Sequence, residues 1–72
     1  MPTTIRVSDR ITARMLHLGL SNEAVAAGVR RSVQTIRNWR ENGENIGATD
    51  LRRLIDVLQC SVDYLLGLTD EV

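Results

Sequence analysis

The 72-residue chain predicts an all-α fold, a compact bundle of five short helices. Three observations carry that prediction. Leu51, Leu54, Ile55 and Leu58 recur at i, i+3, i+4 and i+7, a stripe with the helical period. Ser21, Ser32 and Ser61 each stand just before an apolar-periodic segment, where a hydroxyl can accept the free N–H groups of a first turn. No strand, repeat, linker or low-complexity stretch interrupts the pattern.

Taken in order, the first helix begins near Ser8 or Asp9, turns Ile11, Met15, Leu16 and Leu18 inward, and stops at Gly19. The second opens at Ser21 and faces Val25, Ala26 and Val29 inward. The third opens at Ser32 and anchors through Ile36 and Trp39. Gly43 and Gly47 bracket a loop from Asn42 to Ala48, and both suit left-handed backbone. Thr49 or Asp50 caps the fourth helix. Ser61 caps a short fifth with Val62, Leu65 and Leu66, closed by Gly67. Residues 1–72 read as one domain with an ordered core of about 8–67, and Thr69 to Val72 fray. The shared core is built mainly from Ile11, Leu16, Leu20, Val25, Ile36, Trp39, Leu51, Leu54, Ile55, Leu58 and Leu65.

Composition narrows the function. With 43% hydrophobic and 25% charged residues the chain is ordinary for a globular domain and unlike a disordered one. No apolar run approaches the roughly 20 residues that span a bilayer, and no signal-peptide pattern opens the chain, so no membrane partner and a cytoplasmic setting are expected. The single cysteine, Cys60, excludes an internal disulfide and a cysteine-cluster metal site; it reads as a small apolar packing residue. His17 has no companions for a ligand set. With no nucleophile triad, paired carboxylates or phosphate loop, neither an enzyme, a cofactor nor a small-molecule effector is expected.

The formal net charge is 0, which at first argues against a nucleic-acid partner. Its distribution says otherwise. Residues 1–29 hold three arginines against two acids, +1; residues 30–40 hold Arg30, Arg31, Arg37 and Arg40 with no acid, +4; residues 41–72 hold two arginines against seven acids, −5. The positive charge coincides with the third helix. Advancing about 100° per residue puts Ile36 and Trp39 on one side and Gln34, Arg37 and Asn38 on the other, with Val33 at the edge. A helix of that size fits the DNA major groove. Gln or Asn can pair with adenine N6 and N7, Arg with guanine O6 and N7, and Val can touch a thymine methyl. Asn22 lies in the first turn of the second helix, where free N–H groups favour a phosphate. Arg10, Arg30, Arg31 and Arg40 are further candidates for phosphate contacts that set register. Arg52 and Arg53 are assigned instead to surface pairs with Asp56 or Glu44. Trp39 reads as core, and Tyr64 as core or part of a dimer interface.

These residues carry a resemblance. From Ser8 to Gly67 the chain resembles the phage Cro and repressor (XRE-like) helix-turn-helix domains. The match rests on Leu20-Ser21 opening the motif, Ala26 at the helix–helix contact, Ser32 with Thr35-Ile36 and Trp39, and the ending Ser61-Val62-Asp63-Tyr64-Leu65-Leu66-Gly67. The resemblance implies a lambda-repressor-like fold and a sequence-specific double-stranded DNA-binding transcriptional regulator of a bacterium or phage. It also implies a homodimer on a two-fold related operator. Carried over by position, Val33, Gln34, Arg37 and Asn38 meet bases and Asn22 a phosphate. Half-sites would lie roughly 34–36 Å apart. Tyr64, Leu65 and Leu68, with Val72, are the candidate dimer contacts.

The chain departs from that pattern in three places. Arg30 stands where the turn usually has glycine, and Arg31 where an apolar residue follows; Gly28, two residues earlier, suggests a second helix that ends early and a longer turn. Arg40 and Met15 occupy the positions of a buried glutamate–arginine pair, which is therefore not expected. The loop after the reading helix carries Glu41 and Glu44 and no lysine, so modest DNA affinity is expected. A rival reading keeps the fold but binds a protein, as an antitoxin or regulator partner; the zero net charge and acidic C-terminal half favour it.

Overall fold

The computed structural model describes residues 6–43 and 46–72. Five helices follow one another: α1 (Val7–Leu18), α2 (Asn22–Val29), α3 (Val33–Glu41), α4 (Ala48–Leu58) and α5 (Val62–Leu65). Among the described residues there is no strand. The second helix packs on both α3 and α4, while α1 lies against α3, α4 and α5. Glu44, assigned above to the loop and to an arginine pair, lies outside the described residues.

The core is formed by Ile11, Met15, Val25, Ala26, Val29, Ile36, Trp39, Leu54, Leu58 and Leu65, with Leu20, Leu51 and Ile55 partly buried against it. Leu16 is a correction: it is 74% exposed. Starting at Ile11, the inward positions fall three and four residues on, at Arg14 and Met15, and Leu16 lies well off that line. Arg14 fills the place. It is buried, and its Nε and Nη2 donate to the carbonyls of Leu58 (3.0 Å) and Gln59 (3.1 Å) at the end of α4. Those carbonyls have no partner within their own helix, so a cation there meets both a hydrogen-bonding need and the negative end of the dipole.

Ser21, Ser32 and Ser61 each cap as the sequence predicts, accepting from the N–H of Ala24, Thr35 and Tyr64 respectively. The other two starts differ. Helix α1 begins one residue earlier than predicted, after Arg6, and α4 begins after Gly47; neither has a side-chain cap, and Thr49 and Asp50 lie inside α4. Gly43 and Gly47 are not in left-handed backbone. Gly43 is required by proximity instead: a Cβ there would lie 2.8 Å from the Trp39 carbonyl oxygen and 2.9 Å from the Ser8 nitrogen. The half-buried Cys60 is a free thiol; burial pushes its pKa up, against a smaller lowering by Arg14.

Candidate nucleic-acid interface

The turn between α2 and α3 decides how α3 is presented. Helix α2 runs to Val29 and does not end at Gly28, so the longer turn expected above is absent. Arg30 itself takes the left-handed conformation (φ 60°, ψ 45°), and the Arg31 N–H donates to the Ala26 carbonyl at 3.0 Å. That is the bond pattern in which glycine usually closes a helix. Gly28 serves a different end. A Cβ on it would sit 2.5 Å from Val57 Cγ2, so its lack of a side chain lets α2 approach α4.

Ile36 and Trp39 are buried, which fixes one side of α3, and Gln34, Arg37 and Asn38 are exposed on the other. Val33 is half-buried and packs against the core. Gln34 Nε2 donates to Asn38 Oδ1 at 3.1 Å, one turn along, so two of the candidate base-reading side chains are held together. Arg37 and Arg30 have no hydrogen-bond partner among the described residues, and both are exposed. Glu41 belongs to the last turn of α3 and not to the loop. Continuing the same projection past Asn38 puts Glu41 at the centre of the outer face, between Gln34 and Arg37.

The five candidate phosphate ligands separate. Arg40 Nη1 donates to Asn22 Oδ1 at 2.7 Å and its Nε to Thr12 Oγ1 at 3.2 Å. Helices α1, α2 and α3 are thus joined by a guanidinium at the position where the family commonly has glutamate. Its two acceptors are neutral, so its charge is not cancelled. Thr12, Asn22, Arg37, Arg40 and Glu41 line an open cleft of about 300 Å³. Arg30 projects from the turn. Arg10 and Arg31 are both engaged within the protein. Arg10 lies 4.2 Å over the Tyr64 ring and pairs with Asp70 at 2.9 Å; Asp70 first and Tyr64 second push its pKa up. Arg31 donates from Nε to Asp50 Oδ1 (3.0 Å) and from Nη2 to Asp50 Oδ2 (2.9 Å), and that carboxylate pushes its pKa up. Arg53 donates to the Val29 carbonyl at 3.3 Å, not to Asp56.

The candidate dimer residues divide as well. Leu65 is fully buried in the core and Tyr64 lies beneath Arg10, so Leu65 has no surface to offer a partner. Leu68 is 73% exposed, and Val62, Leu66 and Val72 are exposed beside it in sequence.

Among the described residues no helix is long and apolar enough to cross a membrane. No curated protein sequence matches the chain. Two solved structures do. The DNA-binding domain of the P22 c2 repressor (residues 1–76, in solution) is 32% identical with a TM-score of 0.83, covering 90% of this chain and 86% of that one. The P22 c2 repressor in complex with a synthetic operator is 33% identical with a TM-score of 0.81, covering 88% and 96%. The helix-turn-helix family model matches residues 11–65, from the core of α1 to the end of α5. By that match and these likenesses, the chain belongs to the repressor-type helix-turn-helix family.

Proposed function

We propose that this protein is a sequence-specific double-stranded DNA-binding repressor that reads the major groove with α3. The observation that carries the reading is the two-sided build of that helix: Ile36 and Trp39 lock it to the core while Gln34, Arg37 and Asn38 stay exposed. The likeness to a repressor domain that is seen with its operator supports the same conclusion. Gln34, Arg37 and Asn38 meet base edges, and Val33 a thymine methyl at the edge of the contact. Arg30, Arg40 and Asn22 meet phosphates and set register without reading sequence. The protein acts in the cytoplasm of a bacterial or phage-infected cell, as a homodimer on a two-fold related operator. The interaction-module reading is not favoured, because the fold is shared with a repressor structure that holds operator DNA.

A binding series against salt tests the function. The wild-type protein should enrich a duplex from a randomised pool, and its affinity should fall steeply between low and moderate salt. Arg37→Ala should cost about 1–3 kcal/mol on the enriched duplex and relax preference at one position, with little change on a scrambled duplex. Absence of salt-dependent DNA binding at low ionic strength would end the proposal.

A further inference from the structure

We infer that the Arg31–Asp50 ion pair is a positioning device for the reading helix, holding the α2–α3 turn against α4 and so setting how α3 presents Gln34, Arg37 and Asn38. The inference rests on the DNA-reading function proposed above. It begins from what the turn lacks. Its left-handed residue is Arg30, whose Cβ crowds the backbone, and the next residue, Arg31, is exposed and sends no apolar side chain into the core. Cohesion must come from somewhere else.

The pair supplies it. Two parallel bonds of 3.0 and 2.9 Å join the Arg31 fork to both Asp50 oxygens, and a fork fixes orientation as well as distance. Asp50 is only 7% exposed and lies in the first turn of α4, where the helix dipole also favours a carboxylate. Two other contacts bring α4 to the same region, Arg53 on the Val29 carbonyl and Val57 against Gly28, but both act on the end of α2. Among the described residues, Arg31 joins the turn itself to α4 by side-chain hydrogen bonds. The next residue is Ser32, the cap of α3, so a single residue separates Arg31 from the reading helix. A shift of Arg31 is passed directly to the first turn of α3, and base contacts depend on placement far more than phosphate contacts do.

Asp50 gives a test with opposite outcomes for the two roles that Arg31 could have. The probes are a duplex enriched by the wild-type protein and a scrambled duplex of the same length, titrated well below each variant's melting midpoint as followed by circular dichroism. Asp50→Asn keeps the size of the side chain and faces its amide towards the guanidinium. If the pair positions α3, Asp50→Asn lowers affinity for the enriched duplex roughly 10-fold and leaves scrambled-duplex affinity and its salt slope unchanged. If Arg31 is instead a phosphate ligand restrained by Asp50, the same variant raises affinity for both duplexes, and the inference is overturned. An unchanged ratio between the duplexes overturns it too. Arg31→Lys, which keeps the charge and loses the fork, should reproduce the loss on the enriched duplex alone; an equal loss on both duplexes counts against positioning. A wild-type protein that enriches no duplex overturns the DNA-reading function itself. Wild-type binding with an unmoved Asp50→Asn ratio removes only this inference.

Discussion

Arg30 and Arg31 are adjacent arginines in opposite circumstances, one strained and exposed, the other engaged through a fork. Left-handed backbone costs a residue with a Cβ about 1–2 kcal/mol, and Arg30 holds that conformation at φ 60°. Arg30→Gly removes the crowding, while the freedom of glycine in the unfolded chain takes back about 0.5–1 kcal/mol. The expected outcome is a urea midpoint equal to or above wild type, corresponding to at most about 1.5 kcal/mol. The same variant should bind a scrambled duplex more weakly, with a salt slope shallower by about 0.9. A lowered midpoint would count against strain at this position. Residue type alone misled in one other place. Leu16 reads as core because it is apolar, whereas helical register exposes it and buries Arg14. A long side chain can cross an apolar stretch and deliver its charge to polar atoms beyond, here the last carbonyls of α4.

At the scale of elements, helix ends were legible only where a particular side chain or glycine makes them. Three helices close with a residue in left-handed backbone, at Gly19, Arg30 and Gln59, and α5 reaches one at Gly67, after Leu66. In each, the following N–H reaches back five residues, to Met15, Ala26, Ile55 and Asp63. The two glycines could be read in advance. Arg30 and Gln59 could not, because the backbone bonds that stabilise such an end are blind to the residue in it. The starts behave alike: the three serine caps were visible, while α1 and α4 begin at Arg6 and Gly47 without a side-chain cap and so carry no mark. The cap of α3 has the most functional weight. Ser32 Oγ accepts from Thr35 N at 3.1 Å and shares a bond with the Thr35 hydroxyl at 2.9 Å. Ser32→Ala should cost about 1 kcal/mol, measured as a lower urea midpoint in the fluorescence of Trp39, the single tryptophan. It should also weaken the enriched duplex more than the scrambled one, since the first turn of α3 carries Val33 and Gln34. An unchanged midpoint would show that the hydroxyl contributes nothing to the helix.

At the scale of the whole molecule, a net charge of 0 hides an uneven surface. Of the four arginines between residues 30 and 40, the structure cancels one against Asp50. Arg40 keeps its charge beside neutral partners, and Arg30 and Arg37 stay exposed. The candidate interface therefore rests on fewer cations than the local +4 suggested, with the acidic Glu41 beside them, and each helix contributes a smaller salt slope than four phosphate contacts would give. The proposed dimer draws on the other end of the chain. Since Leu65 is spent on the core, the apolar surface available there is Val62, Leu66, Leu68 and Val72. If the proposed dimer forms, wild type should sediment as a dimer at high micromolar concentration, and Leu68→Arg should stay monomeric there and abolish cooperative filling of a two-fold symmetric duplex. A wild-type protein that stays monomeric even on that duplex would refute the dimer.

Periodicity and capping determined the fold class, the order of the five helices, the buried face of α3 and the residues left on its outer face. These properties are local: each depends on side chains within one or two turns of one another, and the chain states them directly. Only the tertiary structure decided which arginines are free. Arg10, Arg14 and Arg31 look no different from Arg30 and Arg37 in sequence, yet the first three meet Asp70, the α4 carbonyls and Asp50 across separations of 19 to 60 residues. A guanidinium takes whatever acceptor the packed helices bring within about 3 Å. Nothing in its own neighbourhood names that acceptor before the helices have packed.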